Sequence, residues 1–375
     1  MIINNAKVYR NGHFESASIE FDSHIRSFSP GEGMDACGAY IIPGLIDVHT
    51  HGAMGIDASD CTAEQIHHLA QFYSDNGVTS FCFTTLTVPA DELRGAMKNI
   101  RAYERFGGEA KCAGVHLEGP FVSRGKCGAQ NPDNIRKPDI ALFNELNELS
   151  GGMVRLITVA PEVEGALDFI REASKVCTVS LGHSTADYDQ AMAGFEAGAT
   201  HVTHLFNGME PFHHRKPGLV GAALTAGANV ELICDGVHIH PAMIVAVHKM
   251  FGDRLIIVSD SLRCAGLCDG RYNLGGLPMI VRDGRATLLD GTIAGSSSNL
   301  LQELRNVVSY GVPLEAAVKA MTETPAKDIG VFDSIGSLET GKCADFLVLN
   351  KDLKLMATFI DGKLVNGTTD FESVK

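Results

Sequence analysis

Two histidines separated by a single residue stand at His49 and His51, and others recur at His183, His204 and His238. Neutral imidazole is the commonest metal ligand and the side chain best placed to move protons near neutral pH. On an extended strand, residues two apart project from the same side, so His49 and His51 can grip one cation together. Glu118 adds a carboxylate that can reach one metal or bridge two. With His183 and His204 it makes a mixed nitrogen and oxygen set suited to zinc or a similar first-row divalent ion and poorly suited to calcium. Asp260 completes the pattern, because metal coordination lowers the pKa of water to about 7 and a nearby carboxylate can take the proton and return it. This is hydrolytic machinery. The chain has no GxSxG elbow, P-loop or GxGxxG to suggest another chemistry, and GSSSN at 295–299 reads as a turn followed by a helix cap.

Residues so distant in sequence meet only if the fold brings them to one rim. Apolar, β-branched runs end in polar residues at 41–49, 78–86, 112–118, 154–159, 176–183, 198–204, 229–238 and 255–260. Helix-like segments separate most of them, including 63–77 and 185–198, the latter with Thr185 as N-cap and Gly198 as stop. Eight buried strands alternating with helices predict an α/β fold of the (β/α)8, TIM-like barrel type, with an open doubly wound sheet as the competing architecture. In a barrel, chemistry gathers at the C-terminal ends of the strands, where these candidates fall. Turn-rich sequence at 261–295 predicts hairpins before helical patterns resume. The two termini read as short strands with turns at Asn11-Gly12 and Asp361-Gly362, which predicts a small β-sandwich domain from residues 1–43 and 333–375 flanking a barrel of 44–332.

The 375 residues carry a net charge of −14, with 45% hydrophobic and 20% charged residues, a globular balance whose average field repels phosphate and disfavours coating nucleic acid or anionic lipid. The N-terminus lacks a signal-peptide pattern and no apolar run is long enough for a membrane helix, so a cytoplasmic protein is expected. The 10 cysteines form no CxxC pair and read as reduced packing residues. Cys127, Cys264 and Cys268 fall near candidate site segments and read as packing or lid residues. A single histidine is more often structural than ligating. His116, His201, His240 and His248 take that reading, and His67 and His68 read as solvated on a surface helix. The basic loop at 211–218, PFHHRKPG, places Arg215 where it either forks onto a phosphate or stays solvated.

The runs PGLIDVHTHG at 43–52 and GKCADFLVLN at 341–350 resemble the amidohydrolase superfamily. HLEGPF at 116–121, GAQNP at 128–132, LGHSTA at 181–186, THLFNGM at 203–209, RKPGLVGA at 215–222, DGVHI at 235–239 and VSDSLRCAG at 258–266 resemble, in order, its N-acetylglucosamine-6-phosphate deacetylase family. The resemblance implies a barrel with a terminal β-sandwich, assembled as a homodimer. It implies metal ligation by Glu118, His183 and His204, with a second ion possible at His49 and His51, by Zn2+ ahead of Fe2+, Mn2+ or Co2+. Asp260 matches the catalytic acid/base, and His238 and Arg215 match substrate-binding groups, the arginine reaching the phosphate in the neighbouring subunit's site. Asn207 and Gly208 match phosphate contacts. Gln130 stands where some members carry histidine near the substrate carbonyl; it can donate a hydrogen bond but cannot become cationic. The fourth strand, VRLITV, lacks the bridging lysine of hydantoinase-like members, and Glu118 takes that place. The activity implied is hydrolysis of the acetamide of a phosphorylated N-acetylamino sugar, gluco or galacto, with a non-catalytic metal-dependent sugar-phosphate sensor as the alternative.

Overall fold

The computed structural model describes residues 1–372. Its centre is an eight-stranded parallel sheet: β1 (Leu45–Thr50), β2 (Val78–Thr85), β3 (Lys111–Glu118), β4 (Val154–Val159), β5 (Thr178–Leu181), β6 (His201–Val202), β7 (Asn229–Ile233) and β8 (Leu255–Val258), each paired to the next. Closure between β8 and β1 occurs at the C-terminal rim, where the Asp260 N–H donates to the His49 carbonyl at 2.9 Å and the His51 N–H to the Ser261 carbonyl at 2.8 Å. A doubly wound sheet has no such bonds, so the barrel reading holds. Ile46, Val48, Cys82, Ile233, Ile256 and Val258 pack as one apolar cluster with Ala326, Ile329 and Ile335, joining β1, β2, β7 and β8 to the last helix and the segment that follows it. A larger apolar cluster joins strands to the surrounding helices.

The strand expected at 41–49 is two strands. Tyr40–Pro43 belongs to a separate sheet and Leu45–Thr50 to the barrel, with the change at Gly44. A Cβ there would lie 2.1 Å from Thr79 Oγ1, so only glycine lets the chain pass that close to β2. The sixth strand is also shorter than 198–204, with the ladder confined to His201–Val202.

The termini build the second sheet, in the order Lys363–Gly367, Leu355–Ile360, Phe346–Leu349, Tyr40–Pro43, Ile2–Arg10, His13–Phe21, Ile25–Ser27, with Met34–Asp35 beside Ile2–Arg10. Phe21 meets Phe346 and Phe359 at ring distances of 4.9 and 5.5 Å although several strands separate them in the ladder. The sheet therefore curls over its own aromatic core. The hairpins expected at 261–295 are a three-stranded antiparallel sheet (Gly270–Leu274, Leu277–Arg282, Arg285–Leu288), and Asn299 then caps the helix Leu300–Tyr310.

The helix expected at 185–198 spans Tyr188–Glu196 and is capped by Asp187 in a capping box with Gln190. Thr185 is not the cap because its hydroxyl is bound to Glu162 Oε1 at 2.9 Å. Among the described residues no helix is long and apolar enough to cross a membrane. Gly44→Ala should lower unfolding free energy by roughly 1–3 kcal/mol, the usual cost of overpacking. Urea titration followed by circular dichroism checks this, and an unchanged midpoint contradicts the close-approach account.

Candidate metal centre and active site

The strand ends deliver the candidate side chains to one point. Glu118 is the last residue of β3, while His183, His204 and Asp260 each sit two residues past the ends of β5, β6 and β8. All three adopt left-handed backbone angles, with φ of 46°, 26° and 46°, which non-glycine residues rarely adopt. Such conformations persist where the surroundings over-determine them, and they cluster at functional sites. Here they turn each side chain inward over the barrel mouth.

Glu118 is the hub. Its Oε1 lies 3.0 Å from His183 Nε2 and 2.8 Å from His204 Nε2, and those nitrogens are 3.1 Å apart. Its Oε2 lies 3.2 Å from His51 Nε2, which is 3.3 Å from His49 Nε2 and 3.2 Å from Asp260 Oδ1. Two buried triads result, Glu118–His183–His204 and His49–His51–Asp260, each able to offer three atoms to one ion. Their six side chains, drawn from five separate places in the chain, are nearly all shielded from solvent.

The far nitrogens show how the rings are held. His51 Nδ1 lies 3.0 Å from the Thr84 carbonyl and His183 Nδ1 2.9 Å from the Lys126 carbonyl. A carbonyl only accepts, so Nδ1 carries the hydrogen and the Nε2 lone pair faces the centre. His49 Nδ1 is likewise 2.8 Å from Glu231 Oε2, which also accepts the His204 backbone N–H at 3.1 Å. Glu231 was not among the residues singled out from sequence. Its one signal there was an acidic residue inside the apolar run NVELI.

Lone pairs at these separations repel unless a cation lies among them, and the charge balance agrees. Burial works against charge on His51 and His204, yet Asp260 and Glu118 hold His51 well above its ordinary pKa and Glu118 raises His204 to about 9. Burial also opposes ionisation of Glu118 and Asp260, but His49 and His183 hold Glu118 well below the carboxylate range, and His49 and His51 lower Asp260. The donor set fits a divalent first-row ion: imidazole nitrogen and carboxylate oxygen, preoriented and buried.

The remaining candidates divide. Gln130, Asn207, Gly208 and His238 line the cavity above the centre, of about 190 Å³, together with Glu118 and Asp260. The Gln130 amide is committed, its nitrogen donating to Glu118 Oε2 and its oxygen accepting the Thr87 N–H at 2.6 Å, so it steadies the hub. A Cβ on Gly208 would stand 2.9 Å from His183 Nδ1. His238 has both ring nitrogens against acceptors, Asp235 Oδ2 at 2.8 Å and the Ala294 carbonyl at 2.7 Å. Arg215 is exposed, outside this cavity, with its guanidinium 2.7 Å from His214 Nε2. All ten cysteines are free. Cys264 is buried, Cys268 exposed and Cys127 between, and none lines the cavity.

The histidines read as structural are distributed as follows. His116 bridges the Val48 carbonyl and Thr158 Oγ1, His201 lies between Glu231 and Asp328, His240 caps a helix, and His248 is half-buried. His68 is exposed, as expected of a solvated residue. His67 is not solvated: it pairs with Glu109 at 2.9 Å and stacks on Phe106 at 3.9 Å, because the 103–109 loop folds over that helix face.

Comparison with known proteins agrees with this geometry. The amidohydrolase family model matches residues 40–365. The chain is 36% identical over 330 residues to the N-acetylglucosamine-6-phosphate deacetylase of Vibrio furnissii, covering 87% of this chain and 82% of that one. It is also 36% identical over 330 residues to the N-acetylgalactosamine-6-phosphate deacetylase of Escherichia coli O157:H7, covering 87% and 88%. The solved structure of a Mycobacterium smegmatis N-acetyl-D-glucosamine-6-phosphate deacetylase mutant, in complex with N-acetyl-D-glucosamine-6-phosphate, superposes with a TM-score of 0.91 at 30% identity, over 97% of this chain and 99% of that one. The chain belongs to the amidohydrolase family, among the metal-dependent deacetylases these relatives represent.

Proposed function

We propose that this protein hydrolyses the acetamide of N-acetyl-D-glucosamine 6-phosphate, releasing acetate and D-glucosamine 6-phosphate in amino-sugar breakdown or recycling. The observation that carries the reading is the convergence of Glu118, His183 and His204 with Asp260 on one cavity, in a chain 36% identical over 330 residues to a deacetylase of that substrate. When bound, a divalent ion polarises the amide carbonyl and lowers the pKa of water. Asp260, held ionised by His49 and His51, accepts the proton of the attacking water. It then hands that proton to the nitrogen as the C–N bond breaks, since an unprotonated amide nitrogen leaves poorly. His238, steadied by Asp235, turns its Nε2–H from Ala294 toward the developing oxyanion. Gln130 holds Glu118 in place, and Asn207 and Gly208 face the phosphosugar.

The metal is zinc in this reading, with Glu118, His183 and His204 as one site and His49 and His51 available for a second ion. Residues 1–43 and 333–375 form the small domain and 44–332 the catalytic one; 373–375 lie outside the described residues. The protein works in the cytoplasm as a homodimer, in which the exposed Arg215 reaches the phosphate in the partner's cavity. A galacto substrate is the second reading, favoured by the equally similar Escherichia coli relative.

Three outcomes follow. Turnover of Asp260→Asn should fall by roughly 10²–10⁴-fold in an acetate-release assay, and a fall under about tenfold, ~1.4 kcal/mol, contradicts the proton-transfer role. Comparing kcat/KM for the 6-phosphates of N-acetylglucosamine and N-acetylgalactosamine, with unphosphorylated N-acetylglucosamine as control, should rank the gluco phosphosugar first; a galacto preference transfers the assignment. Dialysis against a chelator should lower both Tm and turnover, and Zn2+ should restore them, because a ligand of the folded state stabilises it by mass action. Full activity after verified metal removal contradicts the metal centre.

A further inference from the structure

The geometry points to Glu231 as a positioning residue that ties both halves of the metal centre to the floor of the barrel. The inference rests on the ligand assignment proposed above and extends it to a residue that touches neither substrate nor ion. Glu231 is fully buried in the middle of β7. Burying a carboxylate is expensive unless its oxygens are paired, so its partners define what it does. Oε2 accepts from His49 Nδ1 at 2.8 Å and from the His204 backbone N–H at 3.1 Å. His49 belongs to one triad and His204 to the other, so a single oxygen orients both. The first bond fixes the His49 tautomer with its Nε2 lone pair facing the centre and makes that ring a more basic ligand. The second pins the backbone of His204 at its left-handed φ of 26°.

The other oxygen connects downward. Glu231 Oε1 is 3.1 Å from His201 Nε2, an ion pair off the hydrogen-bond direction, and His201 Nδ1 is 2.8 Å from Asp328 Oδ2. Both nitrogens of this ring face carboxylates, so it is an imidazolium. Burial opposes that charge, but Asp328 and Glu231 override it and raise the His201 pKa to about 10. Asp328 Oδ1 accepts from Asn229 Nδ2 at 2.6 Å and its carbonyl from Thr178 Oγ1 at 2.7 Å. Asn229 and Thr178 are the first residues of β7 and β5, so Asp328 sits at the opposite end of the barrel from the metal ligands. The unit Asp328–His201–Glu231 therefore runs the length of the barrel interior. Two carboxylates and one imidazolium leave it with one net negative charge, and its Glu231 end touches His49.

The test is metal affinity. Metal-free wild type, Glu231→Gln and Asp328→Asn are titrated with Zn2+ against a chromophoric chelator, and the Co2+ ligand-field spectrum of each is recorded, with circular dichroism to establish folding. Glu231→Gln should weaken Zn2+ binding by about 10–100-fold, the usual consequence of removing a partner behind a ligand, and should alter the Co2+ bands. Asp328→Asn should weaken binding in the same direction by a smaller factor. A folded Glu231→Gln with affinity and spectrum within about twofold of wild type overturns the inference. If that variant does not fold, Asp328→Asn decides, and unchanged binding there overturns it. Glu118→Gln separates the two levels: zinc held by wild type and lost in Glu118→Gln upholds the ligand assignment whatever Glu231→Gln does, whereas wild type that binds no zinc removes the ground for both.

Discussion

Four imidazole rings and two carboxylates are packed so that their near atoms stand about one hydrogen bond apart, most of their far nitrogens already committed to acceptors. Neutral rings so arranged present lone pair to lone pair, and ionised carboxylates so arranged repel. The arrangement is stable only with positive charge at its centre. The raised pKa values of His51 and His204 express the same demand, with protons able to meet what a divalent ion meets better.

The rest of the fold serves that constraint. A parallel barrel places the ends of eight strands on one rim, and the chain must turn sharply there to bring side chains over the mouth. His183, His204 and Asp260 make that turn in left-handed conformations. Asp260 is held there by bonds on both sides, its N–H donating to the His49 carbonyl and its own carbonyl accepting from the Ser296 N–H. The same bond that completes the cylinder sets the Asp260 carboxylate beside the His49–His51 pair. The terminal sheet has an aromatic core of its own, and Tyr9, Ile42, Leu347 and Leu349 pack it into the apolar cluster of the barrel and its helices.

Much of this was legible in the sequence because it depends on local rules. The spacing of His49 and His51 put both rings on one side of a strand, and strand-ending residues mark a barrel rim whatever the intervening helices do. Features set by tertiary contacts were not legible. Thr185 has the right chemistry for a helix cap, but Glu162, distant in sequence, claims its hydroxyl and the cap passes to Asp187. His67 lies on a helix face that would be solvated but for a loop folded across it. Gln130 lines the cavity, but its orientation depends on Thr87 and Glu118, which no local pattern relates to it. Glu231 left only a faint mark, one acid in an apolar strand, because its meaning lies in three histidines from other strands.

Anomalous diffraction at the zinc edge, from crystals of the protein grown with Zn2+, locates the ion directly. A strong peak is expected among Glu118 Oε1, His183 Nε2 and His204 Nε2, with any second peak between His49 and His51. Zinc bound only at surface residues, with those side chains unmoved and no density among them, would contradict it.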